Sequence, residues 1–127
     1  MTGYPYQYVV LRLVPRVERQ EFVNVGVVVY AQEAAFIDGA FHLDADRIRA
    51  LDPRVDLEAV RTALHTACRV ARGEGGPPGA LPPGRRFGWL AAPRSTIVQP
   101  GPIHGGLSDD PAATLEHLLR RLVLVED

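Results

Sequence analysis

The chain has 127 residues, a length that suits one domain with a single core and needs neither disulfides nor a structural metal. Its net charge of −1 gives no bulk attraction to nucleic acid or to an anionic membrane, and no apolar run approaches the roughly 20 residues of a membrane span. All 14 basic residues are arginine, which excludes Schiff-base lysine chemistry and a phosphate-loop lysine, and the single cysteine excludes an internal disulfide.

The first two predicted elements are strands separated by a charged loop. Residues 6–14, YQYVVLRLV, alternate between a mixed side and an apolar side with Val9, Leu11 and Leu13. Residues 22–30 repeat the alternation and are rich in β-branched residues, which favour a strand. The second strand therefore has an all-valine side, formed by Val23, Val25, Val27 and Val29. The intervening loop, PRVERQE, is longer than a tight hairpin needs, which often marks a working loop.

A third strand and two helices follow. The segment AAFIDGAFHL predicts a strand that continues past its glycine, although Asp38-Gly39 could also form a hairpin turn. Asp44 is placed to cap a short helix that ends at Asp52-Pro53. Asp56 caps a longer helix, whose apolar residues recur at steps of three and four positions. These residues are Leu57, Val60, Leu64, Ala67, Cys68 and Ala71.

The rest of the chain alternates between Pro/Gly-rich segments and short periodic ones. Residues 73–84, GEGGPPGALPPG, predict a flexible internal loop without regular structure. RRFGWLA (85–91) and RSTIVQ (94–99) are predicted strands, and PGPIHGGLSDD is a predicted loop with a brief extended piece. Asp110 caps a final helix with Pro111 in the first position. The apolar side of this helix consists of Leu115, Leu118, Leu119 and Leu122.

This order of elements predicts a single α+β domain over residues 1–127. We expect an antiparallel sheet of four or five strands with its helices packed on one face, where they cover the valine side of the second strand. The opposite face then carries Tyr6, Tyr8, Arg12, Asn24, Gly26 and Tyr30. On that face Gly26 leaves a shallow spot that a backbone, a ligand or a neighbouring chain can approach closely, and the positions Asn24 and Gly26 indicate either a β-bulge in a partly solvated sheet face or a surface for a partner or ligand.

Residues in both strand pairs carry a family resemblance. The most specific are Arg12, Pro15, Arg19, Glu21, Asn24, Val25, Gly26, Tyr30, Arg94, Ser95, Gln99, His104 and Gly106. With these residues and the DDP helix start, the chain resembles, over nearly its whole length, a bacterial family labelled domain of unknown function 3037. The resemblance implies a compact bacterial domain that is often encoded beside a protein similar to HipA-type kinases. It implies no activity, cofactor or catalytic residue.

The common catalytic and metal-binding motifs are absent from the sequence. Ser95, His104 and Asp109 lack the nucleophile elbow that a hydrolytic triad of this kind requires. The four histidines form no HxxxH or HExxH pattern, so we expect no metal and no cofactor. GEGGPPG lacks the strand-to-helix context of a phosphate loop, and the helix start after HGGLS already carries two aspartates. The sequence thus leans away from an enzyme.

One group of polar residues remains as a candidate binding site. Arginines together with an acid, an amide and an imidazole can bind a phosphate or a carboxylate and act as acid and base. The same residues can instead form a salt-bridged hairpin end. The candidates, taken from the first hairpin and the second strand pair, are Arg12, Arg16, Arg19, Glu21, Asn24, Gly26, Arg94, Ser95, Gln99 and His104.

The leading hypothesis is a non-catalytic protein-interaction module that acts with a separately encoded partner, for which the resemblance suggests a HipA-like kinase-fold protein. The alternative is a small enzyme or ligand-binding protein that uses the Arg/His cluster on a phosphorylated or carboxylated substrate. Nucleic-acid binding has the least support. Such affinity rests mainly on cationic contacts to phosphates, and the chain has a net charge of −1 and no lysine. The sequence leaves open whether the chain forms a homodimer. The N-terminal MTGYPYQY lacks a basic and then apolar signal pattern, so we expect a cytoplasmic protein.

Overall fold

The computed structural model describes residues 3–125 as five strands and four α-helices, with three short 3₁₀ turns. The strands are β1 (Tyr4–Leu13), β2 (Val23–Ala31), β3 (Phe36–Phe41), β4 (Val98–Pro100) and β5 (His104–Ser108). The helices are α1 (Ala45–Leu51), α2 (Leu57–Ala71), α3 (Pro83–Ala91) and α4 (Pro111–Leu122). The predicted α+β class is confirmed. No helix in the described part of the chain is long and apolar enough to cross a membrane.

The five strands form one antiparallel sheet in which β1 has neighbours on both sides. β2 lies along one side of β1, and β3 lies outside β2. Along the other side of β1, β4 pairs with its C-terminal end and β5 pairs with its N-terminal half. Both run antiparallel to β1, so β4 and β5 behave as one edge strand that is interrupted at residues 101–103. The antiparallel sheet predicted from the sequence is confirmed, and it has five strands.

Helices cover both faces of this sheet. On the α2/α3 face, Val9, Leu11 and Leu13 of β1 pack with Leu64 of α2 and Phe87 of α3 in the larger core cluster. On the opposite face, the α4 face, a smaller cluster contains Val27, Val29, Leu115 and Val123, with Tyr6 and Tyr8 packed against it. The expectation of helices on one face therefore holds for α2 and α3, whereas α4 lies on the other face.

A β-bulge in β2 explains this two-sided arrangement. Leu11 lies opposite Gly26, but the next residue, Arg12, lies opposite Asn24, so Val25 is an extra residue in β2. An extra residue shifts the alternation of every later side chain to the other face. Val23 and Val25 consequently join the α2/α3 core, while Val27 and Val29 lie under α4. All four valines are buried, as expected, but the prediction that they share one face of the sheet is wrong.

The bulge also moves Gly26 and Tyr30 from the face on which they were expected. A Cβ on Gly26 would lie 3.0 Å from the carbonyl oxygen of Ala40 and 3.4 Å from Cδ1 of Leu11, which is a residue of the α2/α3 core. Tyr30 packs against the same core and stacks on Phe87, with ring centroids 5.6 Å apart. Gly26 thus provides close approach of β3 to β2 inside the protein, and it does not form the expected surface depression.

The C-terminal half differs most from the sequence prediction. RRFGWLA is helical and belongs to α3, where Phe87 and Leu90 are buried three positions apart and Pro83 occupies the helix start. The predicted strand over residues 94–99 is reduced to β4, and the predicted loop after it contains β5. Residues 73–84 include a 3₁₀ turn at Pro77–Ala80, with Gly79 buried against the backbone of Glu74. The flexibility of this segment stays a prediction.

The predicted helix starts are confirmed at three aspartates. The carboxylates of Asp44, Asp56 and Asp110 accept hydrogen bonds from the backbone N–H groups three residues later, at the starts of α1, α2 and α4. Each bond satisfies one of the N–H groups that a helix start leaves without a partner. The third strand is also confirmed, because β3 runs through Asp38-Gly39 without a turn.

The contacts at Gly26 lead to a stability prediction. We expect Gly26→Ala to lower the free energy of unfolding by about 1–3 kcal/mol, because the added methyl group has to displace the backbone of β3. Gly88→Ala in α3 is the matched control, since a Cβ there meets nothing within 4 Å. The control should raise stability by about 0.5–1 kcal/mol through helix propensity. Thermal denaturation of both variants measures the difference, and equal melting temperatures would contradict the bulge geometry.

Candidate functional site

Three of the candidate residues lie in a row across the sheet. Arg12 of β1 is opposite Asn24 of β2 on one side and opposite Gln99 of β4 on the other. Side chains of directly paired residues share a face of the sheet and lie about 5 Å apart. The first hairpin and β4 therefore meet at Arg12, on the α4 face near the C-terminal end of α4.

The Arg12 guanidinium is held between two surfaces. Its Cζ lies 4.2 Å from the centroid of the Phe22 ring, within the distance of a cation–π contact. On another side, a Cβ on Gly101 would lie 3.1 Å from Cζ and Nε of Arg12, so the side chain packs closely against the backbone of this glycine. Gly101 is itself fixed, because its backbone N–H donates to the carbonyl of Val10 at 2.8 Å.

Asn24 joins the sheet to the end of α4. Its Nδ2 donates a hydrogen bond of 3.1 Å to the carbonyl oxygen of Leu122, one of the last carbonyls of the helix. Helix-end carbonyls have no partner within the helix, so this bond satisfies one of them. The Oδ1 atom of Asn24 is buried and has no partner among residues 3–125. Asn24 thus contributes to the packing of α4 on the sheet.

The ion-paired residues of the charged loop lie beside the end of α1, whereas Val17 and Gln20 of the same loop border Arg12. Arg19 and Glu21 form an exposed ion pair, and the loop packs against Leu51 and Asp52 at the end of α1. The hydrogen bond between the two side chains raises the pKa of Arg19 and lowers the pKa of Glu21. Arg16 is also exposed, 3.9 Å from Glu18. Exposed pairs of this kind contribute little to stability, and none of these residues contacts the Asn24 side of the sheet.

Arg94 and Ser95 lie between α3 and β4, apart from both the Arg12 row and the charged loop. The Arg94 guanidinium donates to the carbonyl oxygens of Trp89 and Ala92 and lies over the Trp89 ring, 4.6 Å from its centroid. These contacts satisfy the C-terminal carbonyls of α3 and give Arg94 a structural role. Ser95 follows in the exposed segment that leads to β4.

His104 lies on the same face as Arg12 but at a distance. It pairs with Tyr8 across the β1–β5 ladder, and the two rings stack with centroids 5.2 Å apart. Tyr8 and Arg12 are four residues apart in β1, which separates their backbone positions by about 13 Å at 3.3 Å per residue. The imidazole stacks on Tyr8, whereas the guanidinium lies over Phe22, so the two groups have different neighbours.

The edge formed by β5 is a feature that the sequence prediction missed. His104, Gly105, Gly106 and Leu107 are exposed, and β5 pairs with β1 alone in the described residues. Two large apolar side chains accompany this edge, Leu107 with 70% and Ile103 with 51% of its surface exposed. HGGLS gives no strand signal, because its two glycines interrupt any apolar alternation.

At the opposite edge of the sheet, formed by β3, side chains occupy the backbone groups of Gly39. Arg72 donates from Nε to the carboxylate of Asp38 at 2.8 Å and from Nη2 to the carbonyl of Gly39 at 3.2 Å. The same carboxylate accepts the backbone N–H of Gly39. Both backbone groups of Gly39 are therefore occupied by side chains. In β5, the side-chain hydrogen bonds are made by Ser108, its last residue. Within residues 3–125, no side chain bonds to the backbone of residues 104–107.

An open cleft of about 340 Å³ adjoins Arg12. It lies between the Phe22 ring, the charged loop at Val17 and Gln20, and the β4 residues Gln99 and Pro100. A metal centre does not fit the described residues, because within 3–125 no group of three His, Cys, Asp or Glu side chains comes together. Anion binding through arginine is the chemistry that this cleft can support.

A comparison with protein families decides the classification. The family model described as "Protein of unknown function (DUF3037)" matches residues 8–123, which includes every candidate residue and almost the whole sheet. The chain belongs to the DUF3037 family. No curated protein and no solved structure matches the chain. The family description names no activity, so the function of this DUF3037 chain has to be argued from its geometry.

The environments of Asn24 and Arg19 predict that alanine at position 24 lowers the stability of the DUF3037 chain and that alanine at position 19 does not. We expect Asn24→Ala to cost about 1 kcal/mol, because it removes the hydrogen bond to Leu122, and to lower the melting temperature by several degrees. Arg19→Ala should leave the melting temperature within about a degree, because its ion pair is exposed. Differential scanning calorimetry of the two variants tests this. A larger loss for Arg19→Ala than for Asn24→Ala would contradict the assignment.

Proposed function

We propose that the protein is a non-catalytic interaction module that binds an extended segment of a separately encoded partner protein along β5. The observation that carries the proposal is the difference between the two edges of the sheet. An unpaired edge offers a row of backbone N–H and C=O groups to which another strand can add. Asp38 and Arg72 occupy both backbone groups of Gly39 in the middle of β3, whereas residues 104–107 have no comparable cover in the described structure.

The chemistry of β5 supports the same proposal. Natural sheets usually protect an open edge with charged side chains, proline or a bulge. β5 contains no acidic residue, arginine or proline, and Leu107 and Ile103 offer apolar contacts beside the backbone groups. These features suit a partner segment that is extended and carries apolar side chains at alternate positions.

The partner that we propose is a HipA-like kinase-fold protein encoded beside this chain, and we place the complex in the bacterial cytoplasm. The family resemblance described from the sequence is what suggests this partner. An enzyme has less support from the geometry, because His104 stacks on Tyr8 and does not line the cleft beside Arg12, whereas the alternative hypothesis needs the two groups together.

Adding charge to the edge provides the test. The double variant Ile103→Lys, Leu107→Lys should bind the HipA-like protein at least about tenfold more weakly by isothermal titration calorimetry, a loss of about 1.4 kcal/mol. Thr62→Lys, Thr66→Lys adds the same charge on an exposed part of α2 and should bind within about twofold of wild type. In the complex, the backbone amides of residues 104–108 should become protected from hydrogen exchange.

The possible failures of this experiment separate the parts of the proposal. Absence of binding by the wild-type chain rejects the HipA-like partner. Binding that the edge variant leaves unchanged rejects β5 as the surface. If the wild-type chain alone forms a dimer that the edge variant abolishes, β5 serves a second copy and the proposal of a separately encoded partner is wrong.

A further inference from the structure

Arg12 differs from the other arginines in its partners. Six arginines have a carboxylate within 4 Å, and three more donate to backbone carbonyls, Arg47, Arg86 and Arg94. Four others, Arg49, Arg85, Arg120 and Arg121, are exposed. Arg12 is partly buried, and within residues 3–125 it has neither kind of partner, while its Nε atom is fully buried and makes no hydrogen bond. A partly buried guanidinium is costly without a counter-charge.

The surroundings of Arg12 hold its charge in one place. The Phe22 ring on one side and the backbone of Gly101 on the other restrict the guanidinium, and both are anchored in or beside the sheet. A cation that is already immobilised loses little conformational entropy when it binds an anion. This geometry distinguishes Arg12 from a flexible surface arginine.

The cleft beside Arg12 combines one positive charge with apolar walls. Its polar lining besides Arg12 consists of two amides, Gln20 and Gln99, and no carboxylate lines it. The remaining lining is apolar and comes from Val14, Val17, Phe22 and Pro100. The volume of about 340 Å³ lies within the range of small-molecule sites.

We infer that this cleft binds a carboxylate carried on an apolar stem. The planar guanidinium matches the two oxygens of a carboxylate, and the amides can donate further hydrogen bonds. A phosphate group carries a charge near −2 and favours several cations or a helix N-terminus, whereas Arg12 is the sole cation that lines this cleft in the described structure. The apolar walls accommodate the stem. Such a group can be a free organic acid or the terminal carboxylate of a polypeptide.

Matched probes test the inference without knowledge of the natural ligand. 3-Phenylpropionate and its neutral analogue 3-phenylpropionamide have the same shape and differ in charge. In an NMR titration at constant ionic strength, we expect the acid to shift the Arg12 Nε–H and Phe22 ring signals to saturation, with the amide at least about tenfold weaker. Inorganic phosphate should bind more weakly than the acid. Phosphate binding more tightly, or equal binding of acid and amide, would overturn the inference.

Variants identify the group that binds. Arg12→Gln should remove the preference for acid over amide, and Arg12→Lys should reduce it, because lysine keeps the charge but loses the planar fork. Arg61→Gln, at an exposed site on α2, is the matched control and should leave binding unchanged. If Arg12→Gln does not fold, the comparison of acid and amide on the wild-type chain still decides. Retention of the acid preference in folded Arg12→Gln would overturn the assignment.

A peptide arm separates the two sources of the carboxylate. The peptide Gly-Gly-Val-Phe is compared as its free acid and as its C-terminal amide. Binding of the free acid more tightly than phenylpropionate supports a polypeptide terminus, and weaker binding supports a small organic acid. The inference does not depend on strand addition at β5, because the edge variant Ile103→Lys, Leu107→Lys should leave acid binding unchanged. Each hypothesis can therefore fail while the other stands.

Discussion

The single extra residue in β2 determines how the whole domain is layered. A strand of alternating valines without an irregularity would present one apolar face and could be covered from one side. The bulge at Val25 and Gly26 reverses the alternation in the middle of the strand, so β2 buries side chains on both faces. α4 then has Val27 and Val29 to pack against, and the sheet becomes the central layer of the fold. The close contact between Gly26 and the carbonyl of Ala40 makes glycine necessary at this point.

The same irregularity explains where the polar residues lie. Asn24 precedes the bulge on the α4 face, so it reaches the last carbonyls of α4, and Arg12 lies beside it on β1. α4 packs mainly over β2 and β3 and leaves the β1–β4 side of this face less covered. Arg12 is therefore located between a packed helix end and an open cleft. Its charge is partly removed from water without a described counter-ion, and this is the observation from which we infer a ligand site in the adjoining cleft.

Local signals in the sequence were sufficient for the elements that depend on local physics. β1, β2, β3, α1, α2 and α4 follow from periodicity and from aspartate caps. α3 was missed because Phe87 and Trp89 alternate like strand residues, although the buried pair Phe87 and Leu90 has helical spacing. β5 was missed because its pairing with the distant β1 supplies the stabilisation that its own residues lack. A bulge at Gly26 was one of two predicted alternatives and is confirmed, but its effect on the two faces was not predicted, since a glycine in a strand is compatible with several backbone geometries.

The candidate site was predicted in part, for the same reason. Arg12, Asn24 and Gln99 come together because antiparallel pairing places β2 and β4 on the two sides of β1. Arg19 and Glu21 do not join them, because the left-handed backbone at Gln20 closes a 3₁₀ turn that directs the loop toward α1. Arg94 is turned back onto α3, a helix that the sequence prediction did not contain. Because the sequence prediction lacked α3, it wrongly grouped Arg94 with the residues around Arg12.

The interruption between β4 and β5 connects the two surfaces that we regard as functional. Between Pro100, opposite Leu11, and His104, opposite Tyr8, the edge segment has one residue more than β1, so the ladder is interrupted there. Gly101 remains attached to Val10 and is the residue whose missing side chain leaves room for the Arg12 guanidinium. A side chain at position 101 would come within 3.1 Å of the guanidinium, so Arg12 would have to shift to accept it. The same interrupted segment thus borders a short edge suited to backbone pairing on one side and the charged cleft on the other.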